Sequence, residues 1–344
     1  MLHAVIGSIP DNFKWITGII GAQGTIKEGL NELSIVLKAS LKNKEYEHLT
    51  AEALYYIASI CINLKNDKRD VMSIISFVES NDNTMHLTSS SALVNFGVAN
   101  LYIRTKHNND KGIEIMEAFK PCAHCFPFNY RHYALGLSKL NRLDSDATNC
   151  FNTFLQETKG INFIKSAYQK LAWQCILNND TLGYLSNMQK VKVKGTARTE
   201  DDEQALTEAK IGIIPNVHLL KARLLFDGGY YREALAALDS AGSLINDTNK
   251  QLELEYYYRK ARIHHDNGDT SLAVTNYLKT IEQGKNETYY YAANASLQLG
   301  YIYEIRKDTT MAVKHYENSL KMKNTDYRYS ISQKAKAGLN RLKK

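Results

Sequence analysis

The chain repeats one pattern of small and large residues three times in its last third, and this repeat constrains the fold more than any other feature. Each copy has a small residue, an alanine twelve positions later, and a large apolar or aromatic residue four positions after that; successive copies lie 39 residues apart. Self-similarity at a fixed period of this length indicates a repeat architecture. The three sets are Ala222, Ala234 and Leu238; Ala261, Ala273 and Tyr277; and Gly300, Ala312 and Tyr316.

The spacing predicts a pair of antiparallel helices in each copy. Small residues let two helices approach closely, and the large residue fills the space beside them. Between the two helices the sequence reads DGGYY, DNGDT or RKDTT, and Gly and Asp are residues that form turns and helix caps. Each hairpin leaves one apolar face uncovered, so neighbouring hairpins must stack.

The three copies resemble the tetratricopeptide repeat (TPR) family, and the similarity runs from Pro215 to the end of the chain. Two copies depart from the family pattern, with Lys221 and Lys260 where a leucine is usual, and the period of 39 exceeds the usual ~34. The resemblance implies a right-handed superhelix of helix pairs whose concave groove binds peptides or protein segments. The third copy is the most similar, through Leu299, Gly300, Tyr303, Ala312 and Tyr316.

The remainder of the chain also predicts helices. Only 4 prolines occur in 344 residues, and so few helix breakers favour an all-α fold. We therefore predict antiparallel helical hairpins stacked into an α-solenoid. Its parts are degenerate TPR-like hairpins over residues 1–193, a polar linker or a solvated helix capped by Thr199 over residues 194–214, and three TPR-like repeats with a C-terminal capping helix over residues 215–344.

Charge and cysteine content narrow the classes of partner. The net charge of +7 lies after Gly300, where 11 Lys and Arg stand against 4 Asp and Glu. A nucleic-acid surface needs basic residues gathered on one face, so we expect no nucleic-acid partner. Five cysteines, an odd number, predict free thiols and a reducing, cytoplasmic location if the N-terminus is native. No apolar stretch approaches the ~20 residues of a membrane span.

Two adjacent histidines, His264 and His265, precede Asp266 and Asp269 and suggest the metal centre of a hydrolase. Adjacent helical residues point about 100° apart, whereas chelation from a helix needs a spacing of three or four residues. In the repeat register His264 lies on the packing face, and Asp269 lies past the turn, where we expect it to cap the next helix. A core or interface histidine is therefore the preferred interpretation, and no metal is predicted.

A Cys-x-x-Cys motif, Cys122 and Cys125, is the other candidate for metal or redox chemistry. A structural zinc needs two further ligands; His124 or His132 would supply one of them, but the sequence has no second motif of this kind. A buried or loop thiol pair is the alternative. Whether these cysteines bind metal stays open, and no cofactor is predicted.

The resemblance places the first helix of each hairpin along the concave groove. Arg223 and Arg262 occupy equivalent positions, and two guanidinium groups in a groove suit a carboxylate, from an acidic side chain or a chain terminus. The alternative is that each arginine pairs with the aspartate four residues later, Asp227 or Asp266. The groove residues predicted in this way are Asn216, Leu219, Arg223, Tyr258, Arg262, His265, Asn294, Leu297 and Tyr301.

These patterns favour a non-catalytic scaffold that binds a protein or peptide segment, with an acidic or carboxylate-bearing partner as the finer expectation. One alternative is an accessory module for a carbohydrate or another polymer, in which tyrosines of the first helices stack on the ligand. Another is a metal-dependent hydrolase, which depends on the histidine stretch alone. The sequence does not identify the partner or the oligomeric state.

Overall fold

All regular secondary structure in the described residues is helical, with nineteen α-helices and a 3-10 helix at Lys44–Leu49. Within each of two compact units, consecutive helices pack against each other, which confirms the predicted all-α class and the stacked hairpins of an α-solenoid. By its internal contacts the chain divides into two compact units, Met1–Gly212 and Ile213–Lys344. The structure is a computed structural model that describes residues 1–9, 23–64, 68–121, 127–242, 245, 249–325 and 327–342.

Twelve α-helices make up the described part of the first unit. They are α1 (Leu2–Gly7), α2 (Ile26–Ser40), α3 (Thr50–Asn63), α4 (Lys68–Glu79), α5 (Asp82–Ser90), α6 (Ala92–Lys106), α7 (Asn109–Glu117), α8 (Tyr130–Asn141), α9 (Ala147–Glu157), α10 (Ile164–Leu177), α11 (Thr181–Val193) and α12 (Glu200–Ile211).

The second unit has seven described α-helices. They are α13 (Val217–Asp227), α14 (Tyr231–Gly242), α15 (Lys250–Asp266), α16 (Thr270–Gly284), α17 (Tyr290–Ile305), α18 (Thr309–Lys321) and α19 (Arg328–Leu342). None of the described helices of either unit is both long enough and apolar enough to cross a bilayer.

Helix α12 lies in the polar segment for which the sequence predicted either a linker or a solvated helix. It begins after the N-cap Thr199, whose hydroxyl accepts a hydrogen bond from the Asp202 amide. Ala205 and Ala209 are buried, and the helix packs against α10 and α11. This part of the segment is therefore a packed helix of the first unit, with a solvated face only on its other side.

Asp202 fixes this helix in place. Its side chain is 0% exposed, and its carboxylate accepts hydrogen bonds from the amides of Phe163 at 2.6 Å and Ser166 at 3.0 Å. Phe163, the N-cap of α10, has a left-handed φ of 64° and makes no side-chain cap of its own. Asp202 thus caps α10 from a distant part of the sequence, and Glu208 adds a contact by accepting from the Trp173 ring nitrogen at 2.9 Å.

We expect Asp202→Ala to lower the free energy of unfolding by about 2–3 kcal/mol, because it leaves buried amides without an acceptor and removes charge-assisted hydrogen bonds. Chemical denaturation followed by circular dichroism measures the loss. Asp201→Ala is the matched control, since Asp201 is the exposed neighbour on the same helix. Equal losses in the two variants would contradict the capping role.

The repeat residues lie where the two helices of each hairpin touch. All nine small, alanine and large positions of the three copies are buried. The hairpins they join are α13–α14, α15–α16 and α17–α18. The periodic pattern therefore corresponds to the packing contact that it predicts.

Each hairpin turn has a residue with left-handed backbone at the same repeat position. These residues are Gly229, Gly268 and Lys307, with φ of 82°, 95° and 61°. Glycine adopts this conformation without the steric penalty that other residues meet. The third copy keeps the turn geometry although it has lost the glycine, so the turn is imposed by the packing of the hairpin.

Tyr316 is held between two glycines of neighbouring helices. A Cβ added to Gly300 on α17 would lie 2.4 Å from the Tyr316 ring, and one added to Gly338 on α19 would lie 2.5 Å from it. The Tyr316 hydroxyl donates to Glu304, which also accepts from Arg341 at 2.8 Å. The ring therefore joins the third hairpin to α19, which covers it with Ile331 and Ala335 among its buried residues.

Gly300→Ala tests this contact. Overpacking a core typically costs about 1–3 kcal/mol, which exceeds the ~1 kcal/mol that alanine gains over glycine in a helix. We therefore expect a net loss in the free energy of unfolding, measured by chemical denaturation.

In a Tyr316→Leu background, the same Gly300→Ala change should lower the free energy of unfolding much less. Alanine and leucine already form this pair in the first copy, as Ala222 and Leu238. If the cost were the same in both backgrounds, Tyr316 would not be the residue that requires glycine.

Candidate functional site

Three of the nine predicted groove residues lie in the core. Leu219, Tyr258 and Leu297 keep only 1%, 4% and 1% of their exposure, and Tyr258 and Leu297 belong to hydrophobic clusters of the second unit. They cannot present a side chain to a partner, so the prediction is corrected for them. A fourth, Asn216, is half-buried and caps α13 by accepting hydrogen bonds from the amides of His218 and Leu219.

His265 contacts the second helix of its own hairpin. Its Nδ1 lies 3.3 Å from the Tyr277 hydroxyl, and the two rings meet edge to face. The same twelve-residue interval joins Glu304 to Tyr316 in the next copy. Burial lowers the pKa of His265, against the opposing effect of Asp266. His265 therefore joins the two helices of its own hairpin. The twelve-residue spacing of this contact is visible in the sequence, because it recurs in the next copy.

Arg262 is stacked on an aromatic ring of the preceding hairpin. Its guanidinium carbon lies 5.0 Å from the centre of the Phe226 ring, and Nη1 donates to the Tyr258 hydroxyl at 3.2 Å. Nη2 stands 4.0 Å from Asp266, and the buried Nε has no hydrogen-bond partner among the described residues. The side chain is about one-third exposed, so part of the guanidinium faces solvent.

Arg259, on α15, is a charged neighbour of Arg223. The sequence patterns did not predict Arg259 as a site residue. Burial and Arg259 act to lower the pKa of Arg223, but Asp227 together with the Tyr290 and Tyr327 hydroxyls raises it more. The Arg223 Nε stands 4.0 Å from Asp227. The sequence signal for Arg259 is Glu255, four residues earlier on the same helix, to which its Nε donates at 2.8 Å.

Tyrosine rings lie beside these arginines: Arg223 and Arg259 act electrostatically on Tyr290, and Arg262 donates to Tyr258. Tyr290 meets Tyr327 at a centroid distance of 4.8 Å and Tyr258 at 5.7 Å. Burial raises the pKa of Tyr290 well above its ordinary value, so its hydroxyl stays protonated. We call Arg223, Arg259 and Arg262 the arginine cluster.

The last two predicted residues lie on α17 and are half-buried. The Asn294 Oδ1 accepts a hydrogen bond from Gln298 at 3.3 Å. The Tyr301 ring packs edge to face against Tyr316. Both keep part of their side chains at the surface, and both belong to the third hairpin, whereas the three arginines belong to the first two.

Each arginine of the cluster has a carboxylate on its own helix, but the pairs differ in strength. Arg259 and Glu255 form a hydrogen-bonded pair. Arg223 and Arg262 are 4.0 Å from Asp227 and Asp266, which is beyond hydrogen-bond distance. The alternative intrahelical pairing that the sequence offered is thus present in geometry. At Arg262, whose Nε has no hydrogen-bond partner among the described residues, it leaves room for a closer, charge-assisted contact with another carboxylate.

The histidine stretch forms the end of a helix and the turn after it. His264 is buried, and its Nδ1 lies 3.4 Å from the Asp269 carboxylate. Asp269 stands at the N-cap of α16 but its side chain makes no capping hydrogen bond; it accepts instead from Asn267 at 3.0 Å. In the described part of the chain no group of three or more His, Cys, Asp or Glu is placed to hold a metal ion. Cys122, His124 and Cys125 lie outside the described residues.

Comparison with known families agrees with the helical pattern. The tetratricopeptide repeat family matches residues 254–283 and 293–326, which correspond to the hairpins α15–α16 and α17–α18. The chain is similar to this family over its second and third copies, as the sequence predicts. No curated protein sequence matches the chain significantly. The match supports a role in protein–protein interaction in general.

His265→Phe should make the protein less sensitive to acid. The folded pKa of His265 is lowered below the unfolded value of about 6.5, so the unfolded chain binds this proton more readily and stability falls as pH drops through that region. Phenylalanine does not titrate, and it is the residue at the equivalent position, Phe226, of the first copy.

Urea denaturation at about pH 7.5 and at about pH 5.5 measures the effect. As pH falls, we expect the free energy of unfolding to decrease more in the native protein than in the variant. The other histidines are common to both proteins, so parallel pH profiles would mean that His265 does not carry the effect.

Proposed function

We propose that the protein is a non-catalytic scaffold that binds a carboxylate-bearing segment of a partner protein at the arginine cluster. The observation that carries the proposal is the arginine cluster itself, on the first helices of two successive hairpins. Similarity to the TPR family supports protein–protein interaction, and the first helices are the face that this resemblance assigns to binding.

The weak intrahelical pairs make the cluster receptive to an acidic group. Arg223 and Arg262 each stand 4.0 Å from their aspartates, and partly exposed pairs without a hydrogen bond contribute little to stability. A carboxylate that approaches to hydrogen-bond distance, and in a bidentate geometry, interacts more strongly with a guanidinium. The incoming carboxylate therefore gains more than the displaced aspartate loses.

The surroundings of the cluster hold its guanidinium groups in place. Arg262 is fixed by the Phe226 ring below it and the Tyr258 hydroxyl beside it. Arg259 is fixed by Glu255. Because these side chains are ordered before binding, the scaffold itself loses less conformational entropy when a partner docks.

Residues near the cluster can also contact the partner's apolar atoms. Tyr327 is about one-third exposed, and its ring meets the half-buried Tyr290. Tyrosines supply a large contact area with few rotatable bonds. We expect a segment that places a carboxylate on the arginines and an apolar residue against these two rings.

The described cysteines Cys61, Cys150 and Cys175 form no disulfide with one another, and on that ground we propose a reducing compartment such as the cytoplasm for the scaffold. A cytoplasmic partner is the corresponding expectation.

A double variant, Arg223→Gln with Arg262→Gln, should abolish capture of the partner from native lysate, identified by mass spectrometry. Each lost charge-assisted contact is worth about 1.4 kcal/mol or more, so each substitution should weaken binding at least ~10-fold. Binding of the native protein should also weaken as salt is raised, because the contact is between charges.

The matched control is Arg232→Gln, which removes an exposed arginine from the second helix of the first hairpin. It should leave capture unchanged, and circular dichroism should show the same helicity in all variants. Capture that survives the double variant with the native salt dependence would remove the arginine cluster from the proposal. A partner whose binding segment, once mapped by peptide scanning, has no acidic side chain and no free terminus would remove the carboxylate.

A further inference from the structure

A cavity of about 570 Å³ lies within the first unit, between α9, α10 and α11. Small-molecule sites in proteins typically measure about 300–1,000 Å³. The cavity is in a different unit from the arginine cluster, and neither the TPR-like repeats nor the proposed scaffold function accounts for it.

Side-chain amides are the most frequent groups in the lining of this cavity, at five of its twelve residues. They come from three helices and from the turn between α10 and α11, so they surround the space from several sides. An amide offers both hydrogen-bond donors and an acceptor. The members of this amide-lined cavity are Asn152, Gln156, Gln174, Asn178 and Asn187.

Gln174 is the most informative of them, because its side chain is buried and its side-chain carbonyl accepts no hydrogen bond among the described residues. Only 4% of the residue is exposed, and its Oε1 has no hydrogen-bond partner among the described residues. A buried polar atom left unpaired is costly. The terminal amide torsion of glutamine is broad and roughly two-fold, so rotation can turn the carbonyl towards a ligand in the cavity.

Gln169, five residues earlier on the same helix, shows the ordinary arrangement. It is equally buried at 3% exposure, but its Nε2 donates to Glu208 and its Oε1 accepts from Lys170 at 2.7 Å. One helix thus has two buried glutamines, of which only the one at the cavity lacks a partner for its carbonyl.

The charged residues of the lining are already paired within the protein. Asp180 accepts the Gly183 amide at 2.8 Å as the N-cap of α11. The Lys190 Nζ lies 3.4 Å from Asn187 Oδ1 and above the Tyr168 ring. One negative and one positive side chain line the cavity, so the site has no excess charge and suits a ligand without net charge.

We propose that the amide-lined cavity binds a neutral sugar of one or two rings. Sugar hydroxyls both donate and accept hydrogen bonds, as the carboxamides do, and they project from a compact ring in several directions. Leu155, Tyr168 and Leu171 supply apolar surface for the C–H face of the ring. An extended peptide presents its amides along a line instead, and it fits less well between groups that converge from three helices.

Cys175 provides a reporter inside the cavity. It lines the space, it is partly exposed, and Asn187 lies 3.7 Å from its Sγ. A bound sugar should slow alkylation of Cys175 by N-ethylmaleimide, followed on the Cys175 peptide by mass spectrometry. The probes are glucose, galactose, xylose, N-acetylglucosamine, cellobiose and diacetylchitobiose at millimolar concentration, with saturation-transfer NMR as an independent readout.

We expect at least one of these sugars to protect Cys175 and to give a saturation-transfer signal. Gln174→Leu should weaken that binding about tenfold or more without lowering the thermal midpoint, because the residue it replaces has no hydrogen-bonded carbonyl. Gln169→Leu should do the opposite, with a lower midpoint and unchanged sugar affinity. Asn152→Ala, at an exposed position of α9, should weaken binding even if a glutamine variant fails to fold.

The proposal is overturned if none of the six sugars protects Cys175 or gives a signal. It is also overturned if acetyl-tetraglycine amide, a neutral peptide probe, protects Cys175 where the sugars do not, since the cavity would then recognise a peptide backbone. Sugar binding that is unaffected by both Gln174→Leu and Asn152→Ala would place the sugar elsewhere on the protein. Loss of partner capture at the arginine cluster has no bearing on these results.

Discussion

The close approach of two helices at a small residue is the constraint on which the second unit depends. Ala222 and Ala261 are fully buried where they meet the following helix, and at Gly300 even a Cβ would lie 2.4 Å from the Tyr316 ring. The space beside the small residue is filled by the large residue four positions after the alanine of the following helix. In two copies this residue is a tyrosine, and its hydroxyl needs a polar partner because the ring is buried. The small residue thus determines where a polar group must appear, at His265 and Glu304.

The sequence predicts this unit well because its determinants are local and periodic. Turns, hairpins and packing positions recur every 39 residues, and even Lys307 keeps the backbone of the glycines it replaces. The segment around α12 is different. Its acidic residues look solvated, yet Asp202 accepts hydrogen bonds from amides 36 and 39 residues upstream. Nothing in the local sequence reports such a partner, so the sequence left a linker and a solvated helix as the alternatives and did not predict a packed helix.

The candidate site shows the same division. Helix register identified Arg223 and Arg262, and it identified the aspartates that stand near them. The prediction of exposed groove residues failed for Leu219, Tyr258 and Leu297. The family resemblance indicates which face of a helix lines the groove, but the burial of a residue depends on how closely the next hairpin packs against that face. Arg259 was missed for a related reason: it lies beside the predicted face, and only the packing of neighbouring helices turns it towards Arg223.

Charge balance at the arginine cluster limits what binding there can achieve. Three arginines stand near three carboxylates of their own helices, Glu255, Asp227 and Asp266. A partner's carboxylate therefore exchanges with existing contacts and does not neutralise a bare positive surface, so the net gain in free energy per contact is modest. Such a site favours reversible association whose specificity comes from bidentate geometry, and it discriminates against polyanions that a large excess of positive charge would attract.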